Sequence, residues 1–205
     1  MSTIIVAHSI GATNDGNWYP ALAADLRSEG HRVVVPQLPD PDAPQPDAWL
    51  KTLTEAAADS PATDTVLVGH SLGGVSILRL LERHDTGARG AFAGLLLVAS
   101  MARSVGYEQL AGFFQPSFDW PVIKAAAGRA RVLHAGDDPV TGAATGDHVM
   151  QFVTGLAATA IITPSGGHFP STGEDCRSLP DAVDLIRGIL EGRGQRQPAA
   201  RGLGR

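Results

Sequence analysis

Among 205 residues there is one cysteine, Cys176, which excludes an internal disulfide and any metal site built from several thiolates. A chain so poor in thiols fits the reducing cytoplasm. No apolar run is long enough to span a bilayer. The run Ile4-Ile5-Val6-Ala7 near the start is too short for a targeting segment and has no basic flank. Positive charge is also scarce: the formal net charge is −5, and Arg193, Arg196, Arg201 and Arg205 supply +4 in a stretch without acids, leaving −9 for residues 1–192. An acidic body of this kind repels nucleic acid phosphates. Residues 193–205, rich in glycine and almost without apolar side chains, read as a disordered basic tail.

With 43% hydrophobic and 18% charged residues, residues 1–192 are expected to form a single domain with a substantial core. Short runs rich in Val, Ile and Leu at Thr3-Ala7, Arg32-Val35, Thr65-Val68, Phe92-Ala99, Ala130-His134 and Ala158-Thr163 read as strands buried on both faces. Between them, Trp18-Glu29, Asp47-Ala58, Leu72-Arg83, Trp120-Ala127, Ala144-Leu156 and Leu179-Glu191 have helical periodicity. This alternation predicts an α/β fold, a doubly wound, mainly parallel six-stranded sheet with helices on both faces. The Pro-rich stretch 36–46 reads as an extended loop leading into a helix near Asp47. In such sheets ligands bind beyond the carboxyl ends of the strands. The polar groups His8-Ser9, His70-Ser71, Ser100, Asp137-Asp138 and Gly166-Gly167-His168 all follow strands.

One of these groups carries a specific signal. Gly69-His70-Ser71-Leu72-Gly73 fits G-x-S-x-G between a strand and a helix, the nucleophile elbow of α/β-hydrolases, and makes Ser71 the candidate nucleophile. A serine hydroxyl needs a base within reach and an acid that fixes the base's tautomer. In this fold the order is Ser, then Asp or Glu, then His, and Gly136-Asp137-Asp138-Pro139 and Gly166-Gly167-His168-Phe169 follow in that order. His168 is therefore the candidate base and Asp138, directly before Pro139, the preferred acid, with Asp137 as the alternative. His70 reads as a packing or hydrogen-bonding residue. The backbone N–H groups of Leu72 and Ile10 are the expected oxyanion donors. Ser9 stands where this fold usually has glycine, and His8 braces the loop or lines the site.

With those motifs placed, residues 3–190 resemble the small serine hydrolases related to retinoblastoma-binding protein nine and bacterial YdeN. The likeness rests on IIVAHSIGATNDGNWYPALAADL, VVPQLPDPDAPQPDAWL, GHSLGG, GDDPV and GGHF. It implies a compact α/β-hydrolase without a large lid domain, using Ser71, Asp138 and His168 as a triad. The stretch between Ser100 and Trp120 is expected to form the pocket wall, with Phe113, Phe114, Phe118 and Trp120 as candidate substrate contacts. Trp18 and Trp49 read as helix-packing residues. The expected activity is hydrolysis of a carboxylic ester or related acyl compound, carboxylesterase in type, with a small-molecule substrate and neither cofactor nor metal. The alternatives are a protein-binding module on a hydrolase scaffold, and amide hydrolysis or perhydrolysis by the same three side chains.

Overall fold

The computed structural model describes residues 1–169 and 177–192; Cys176 and the basic stretch 193–205 lie outside them. Six strands, β1 (Thr3–Ala7), β2 (Arg32–Val34), β3 (Thr65–His70), β4 (Gly94–Val98), β5 (Arg129–Ala135) and β6 (Thr159–Thr163), form one sheet in the order β2-β1-β3-β4-β5-β6. Every neighbouring pair is parallel. The chain passes from β1 outward to β2, then returns across β1 to continue through β3 to β6. Strand order thus reverses between β1 and β3, where Ala7 pairs with Gly69. The loops after these two strands leave the sheet side by side, which opens the crevice expected at such a reversal.

Alternate side chains along each strand feed two cores, as the pleat requires. Ile5, Ala7, Leu67, Leu95 and Leu97 face α2 (Pro46–Ala58), α3 (Leu72–Glu82), α5 (Trp120–Ala127) and α6 (Thr145–Leu156). Ile4, Val6, Val66, Leu96 and Val98 face α1 (Tyr19–Ser28) and α7 (Pro180–Glu191). A one-turn helix, α4 (Thr86–Arg89), is capped by Asp85, which accepts from the Ala88 amide. Proline stands in the first turn of α1, α2, α5 and α7, where its missing N–H costs nothing and its fixed φ favours the helix. Ten of the eleven residues of α3 are buried, so this helix is enclosed on all sides, as its near-continuous apolar run demands.

The structure differs from expectation at the edges. β4 is shorter than Phe92-Ala99 because the Phe92 amide donates to Ala126 and the Ala93 amide is shared between Ala62 and Thr65, the first residue of β3. β6 is not buried on both faces: Ile161 and Ile162 are 42% and 49% exposed, because it is the edge strand. The stretch after Ser100 contains a 3₁₀ turn over Glu108–Phe114 that no periodicity announced. Among the described residues, no helix is long and apolar enough to cross a membrane.

Candidate functional site

The turn between β3 and α3 holds Ser71 at φ 53°, ψ −123°, a conformation that costs a non-glycine residue about 1–3 kcal/mol. The neighbouring glycines make this turn possible. A Cβ on Gly69 would collide with the Cα of Gly74, and one on Gly73 with the carbonyl groups of Ala7 and His8. These obstacles are backbone and cannot swing aside. The turn is anchored by the Ser71 amide donating to Val98 at 2.9 Å and by Ser100 Oγ donating to the Ser71 carbonyl at 3.1 Å.

Ser71 Oγ lies 2.7 Å from Nε2 of His168, whose Nδ1 lies 2.9 and 3.0 Å from the two carboxylate oxygens of Asp138. Nδ1–H donates to the carboxylate, which leaves Nε2 to accept the serine proton. Burial of Asp138 favours its neutral form. The hydrogen bond and charge of His168, with the Val140 and Thr141 amides, outweigh it and hold the carboxyl below its ordinary range. Asp137 does different work: its Oδ1 accepts from the Gly167 amide at 2.8 Å and fixes the turn ahead of His168. Among the described residues, the Leu72 and Ile10 amides have no acceptor. Leu72 also opens α3, so the positive end of that helix dipole meets any negative charge developing beside Ser71.

A second network holds the histidine loop in place. His70 Nε2–H donates to the His168 carbonyl at 2.8 Å, and His70 Nδ1 accepts from the Tyr19 hydroxyl at 2.7 Å. The Ser9 amide donates to the same hydroxyl, and Trp18 Nε1–H donates to the Phe169 carbonyl. Trp18 and Tyr19 thus do more than pack α1: they join the loop after β1, the end of β3 and the loop after β6. The Asn17-Trp18-Tyr19-Pro20 motif was the available signal. Burial, followed by the neighbouring charge of His168, pushes the His70 imidazole down to about 3. Burial and the charge of Arg103 push His148, which accepts from the Ala102 amide, down to about 4.

The buried imidazoles have a measurable consequence. The unfolded chain protonates them near 6.5, while the folded one keeps His70 neutral down to about 3 and His148 down to about 4. The unfolded state therefore binds more protons in this window, and stability falls as pH falls, by up to ~1.4 kcal/mol per unit for each group. Thermal unfolding at pH 5 should occur several degrees below that at pH 7. An unchanged midpoint would show that these imidazoles are not held neutral.

A cavity of about 200 Å³ opens at Ser71 and His168, with Ile10 and Leu72 in its wall. Met101, Val105, Tyr107, Leu110, Phe114 and Val140 complete a largely apolar lining. Of the expected substrate contacts, Phe114 alone reaches it. Phe113 points the other way, 1% exposed and edge-on to Trp49. Phe118 and Trp120 line an adjoining, more polar depression with Gln115 and Gln151, on the other side of Ser104 and Phe114. His8 is fully buried: Nδ1–H donates to the Ser9 carbonyl and Nε2 accepts from the Leu38 amide. It braces the loop instead of facing the cavity.

The family model described as Serine hydrolase matches residues 4–186. The chain is 29% identical to the Bacillus subtilis protein YdeN over 184 residues, covering 89% of this chain and 93% of that one. It is 26% identical to the serine hydrolase RBBP9 of Rattus norvegicus over 142 residues, 67% and 72% of the two chains. The crystal structure of the Bacillus subtilis ydeN gene product superposes with a TM-score of 0.84 at 27% identity, over 93% of this chain and all of that one.

Proposed function

Because this chain belongs to the serine hydrolase family, we propose that it cleaves carboxylic esters or related acyl compounds through an acyl-enzyme on Ser71. The observation that carries the reading is the hydrogen-bonded chain from Ser71 Oγ to His168 to Asp138, placed at the mouth of an apolar cavity. His168 Nε2 takes the hydroxyl proton as Ser71 Oγ bonds to the acyl carbonyl carbon. Asp138 stabilises the imidazolium that results. The carbonyl oxygen, now negative, is held by the Ile10 and Leu72 amides. Collapse of this intermediate breaks the bond to the leaving alcohol, which departs with the proton from Nε2. Water then attacks the acyl carbon by the same route, releasing the acid and restoring the Ser71 hydroxyl.

The expected result is that a fluorophosphonate probe labels the wild-type protein and not Ser71→Ala, and that wild-type turnover of short nitrophenyl esters exceeds the Ser71→Ala background. Undiminished labelling of the variant would remove Ser71 from the role. No labelling and no ester turnover by the folded wild type would leave the scaffold as a binding module.

A further inference from the structure

Arg79 is the one charged residue between Leu72 and Leu81 of the enclosed helix α3, and it is 8% exposed. It lies about 10 Å along the helix from Leu72 and does not line the cavity. Its bonds run to the stretch that carries the cavity wall. Nε–H donates to the Phe113 carbonyl at 3.1 Å, and Nη2–H donates to the Pro116 carbonyl. The guanidinium stacks 4.0 Å over the Phe118 ring. Nη1–H donates to Glu82 Oε2 at 2.6 Å, and Glu82 Oε1 accepts from the Asp119 amide at 2.6 Å. One largely enclosed ion pair therefore grips residues 113–119 at four points. A planar fork with several fixed donors suits this task, and a lysine could not span it.

The gripped segment is continuous with Leu110 and Phe114, which form one side of the apolar cavity. We infer that Arg79 is a positioning residue for acyl-group selection: by fixing this wall against the nucleophile's own helix, it fits the cavity to apolar acyl chains of short to medium length. The inference rests on the proposed hydrolase reading, with the cavity as the acyl site. Arg79 touches neither substrate nor reacting atoms. Its loss acts on KM for chains that fill the cavity and spares kcat for acetate, which is too small to need the wall.

Nitrophenyl acetate, butyrate, octanoate and dodecanoate test this in wild type, Arg79→Met, Arg79→Lys and Phe118→Leu, with labelling by a small fluorophosphonate and chymotrypsin cleavage after Phe113 and Phe114 as parallel readouts. The expected result for Arg79→Met is an octanoate-to-acetate ratio of kcat/KM reduced about tenfold through KM, with acetate kcat within about threefold of wild type and faster cleavage of the segment. Arg79→Lys and Phe118→Leu should show smaller shifts in the same direction, and they carry the test if Arg79→Met does not fold. Equal loss across all four esters, or an unchanged ratio, overturns the inference. If the wild type turns over none of these esters, the hydrolase reading fails. The clamp is then decided by cleavage, and equal rates in wild type and variants overturn it.

Discussion

Ser71→Ala should lower ester turnover by roughly 10⁴–10⁶-fold, or about 5–8 kcal/mol of transition-state stabilisation, while leaving the folded state almost untouched. The substitution removes one oxygen whose partner is Nε2 of His168. The His168 side chain is 15% exposed, so solvent can replace that bond at a cost of about 1 kcal/mol. Ser71→Gly should be equally inactive but more stable than Ser71→Ala, by about 1 kcal/mol. Alanine inherits the unfavourable backbone at φ 53°, whereas glycine accepts it readily. Thermal unfolding and steady-state kinetics on the two variants check both halves. If glycine gave no gain over alanine, the strain assigned to this turn would be wrong.

Asp138→Asn should cost about 10⁴-fold in kcat, although the two side chains have nearly the same shape. The Val140 and Thr141 amides both donate to Asp138 Oδ1, at 2.8 and 3.4 Å. In asparagine they hold the carbonyl oxygen at that position, which sends the NH₂ group to the Oδ2 position, 2.9 Å from His168 Nδ1. Nδ1 must then accept, the ring proton moves to Nε2, and the base has no lone pair for the Ser71 hydroxyl. Asp137→Asn is the matched control, because an amide oxygen can still accept from the Gly167 N–H that Asp137 binds. It should keep kcat within about threefold. Comparable losses in the two variants would overturn the division of roles between these neighbouring aspartates.

The local signals legible in the sequence were those tied to backbone geometry. Gly69 and Gly73 announce the turn because side chains there would strike backbone, and the order of the Asp and His motifs follows from strand succession. The six strands were legible as apolar runs, since a parallel sheet covered by helices leaves little polar surface in its interior. What was not legible depends on side-chain direction in aperiodic segments. Phe113 and Phe114 are adjacent, yet one packs on Trp49 and the other lines the cavity, and no period of 2 or 3.6 applies to the 3₁₀ turn that holds them. His8 offers the chemistry of a site residue, but the bonds to both its ring nitrogens turn it into a brace. The exposure of Ile161 and Ile162 follows from the position of β6 at the sheet edge, which strand composition alone does not encode.

The near-complete enclosure of α3 limits how this protein can vary. Glu82 is the one residue of that helix outside the buried set, so almost any replacement along it disturbs packing on several sides at once. Variation of the cavity therefore has to come from the loops, chiefly residues 101–119, whose Val105, Tyr107, Leu110 and Phe114 face it from outside the strand, turn and helix that hold Ser71. A library aimed at Val105 and the 47% exposed Tyr107 would reshape the cavity at less risk to folding than one aimed at α3 or at the buried Leu110 and Phe114.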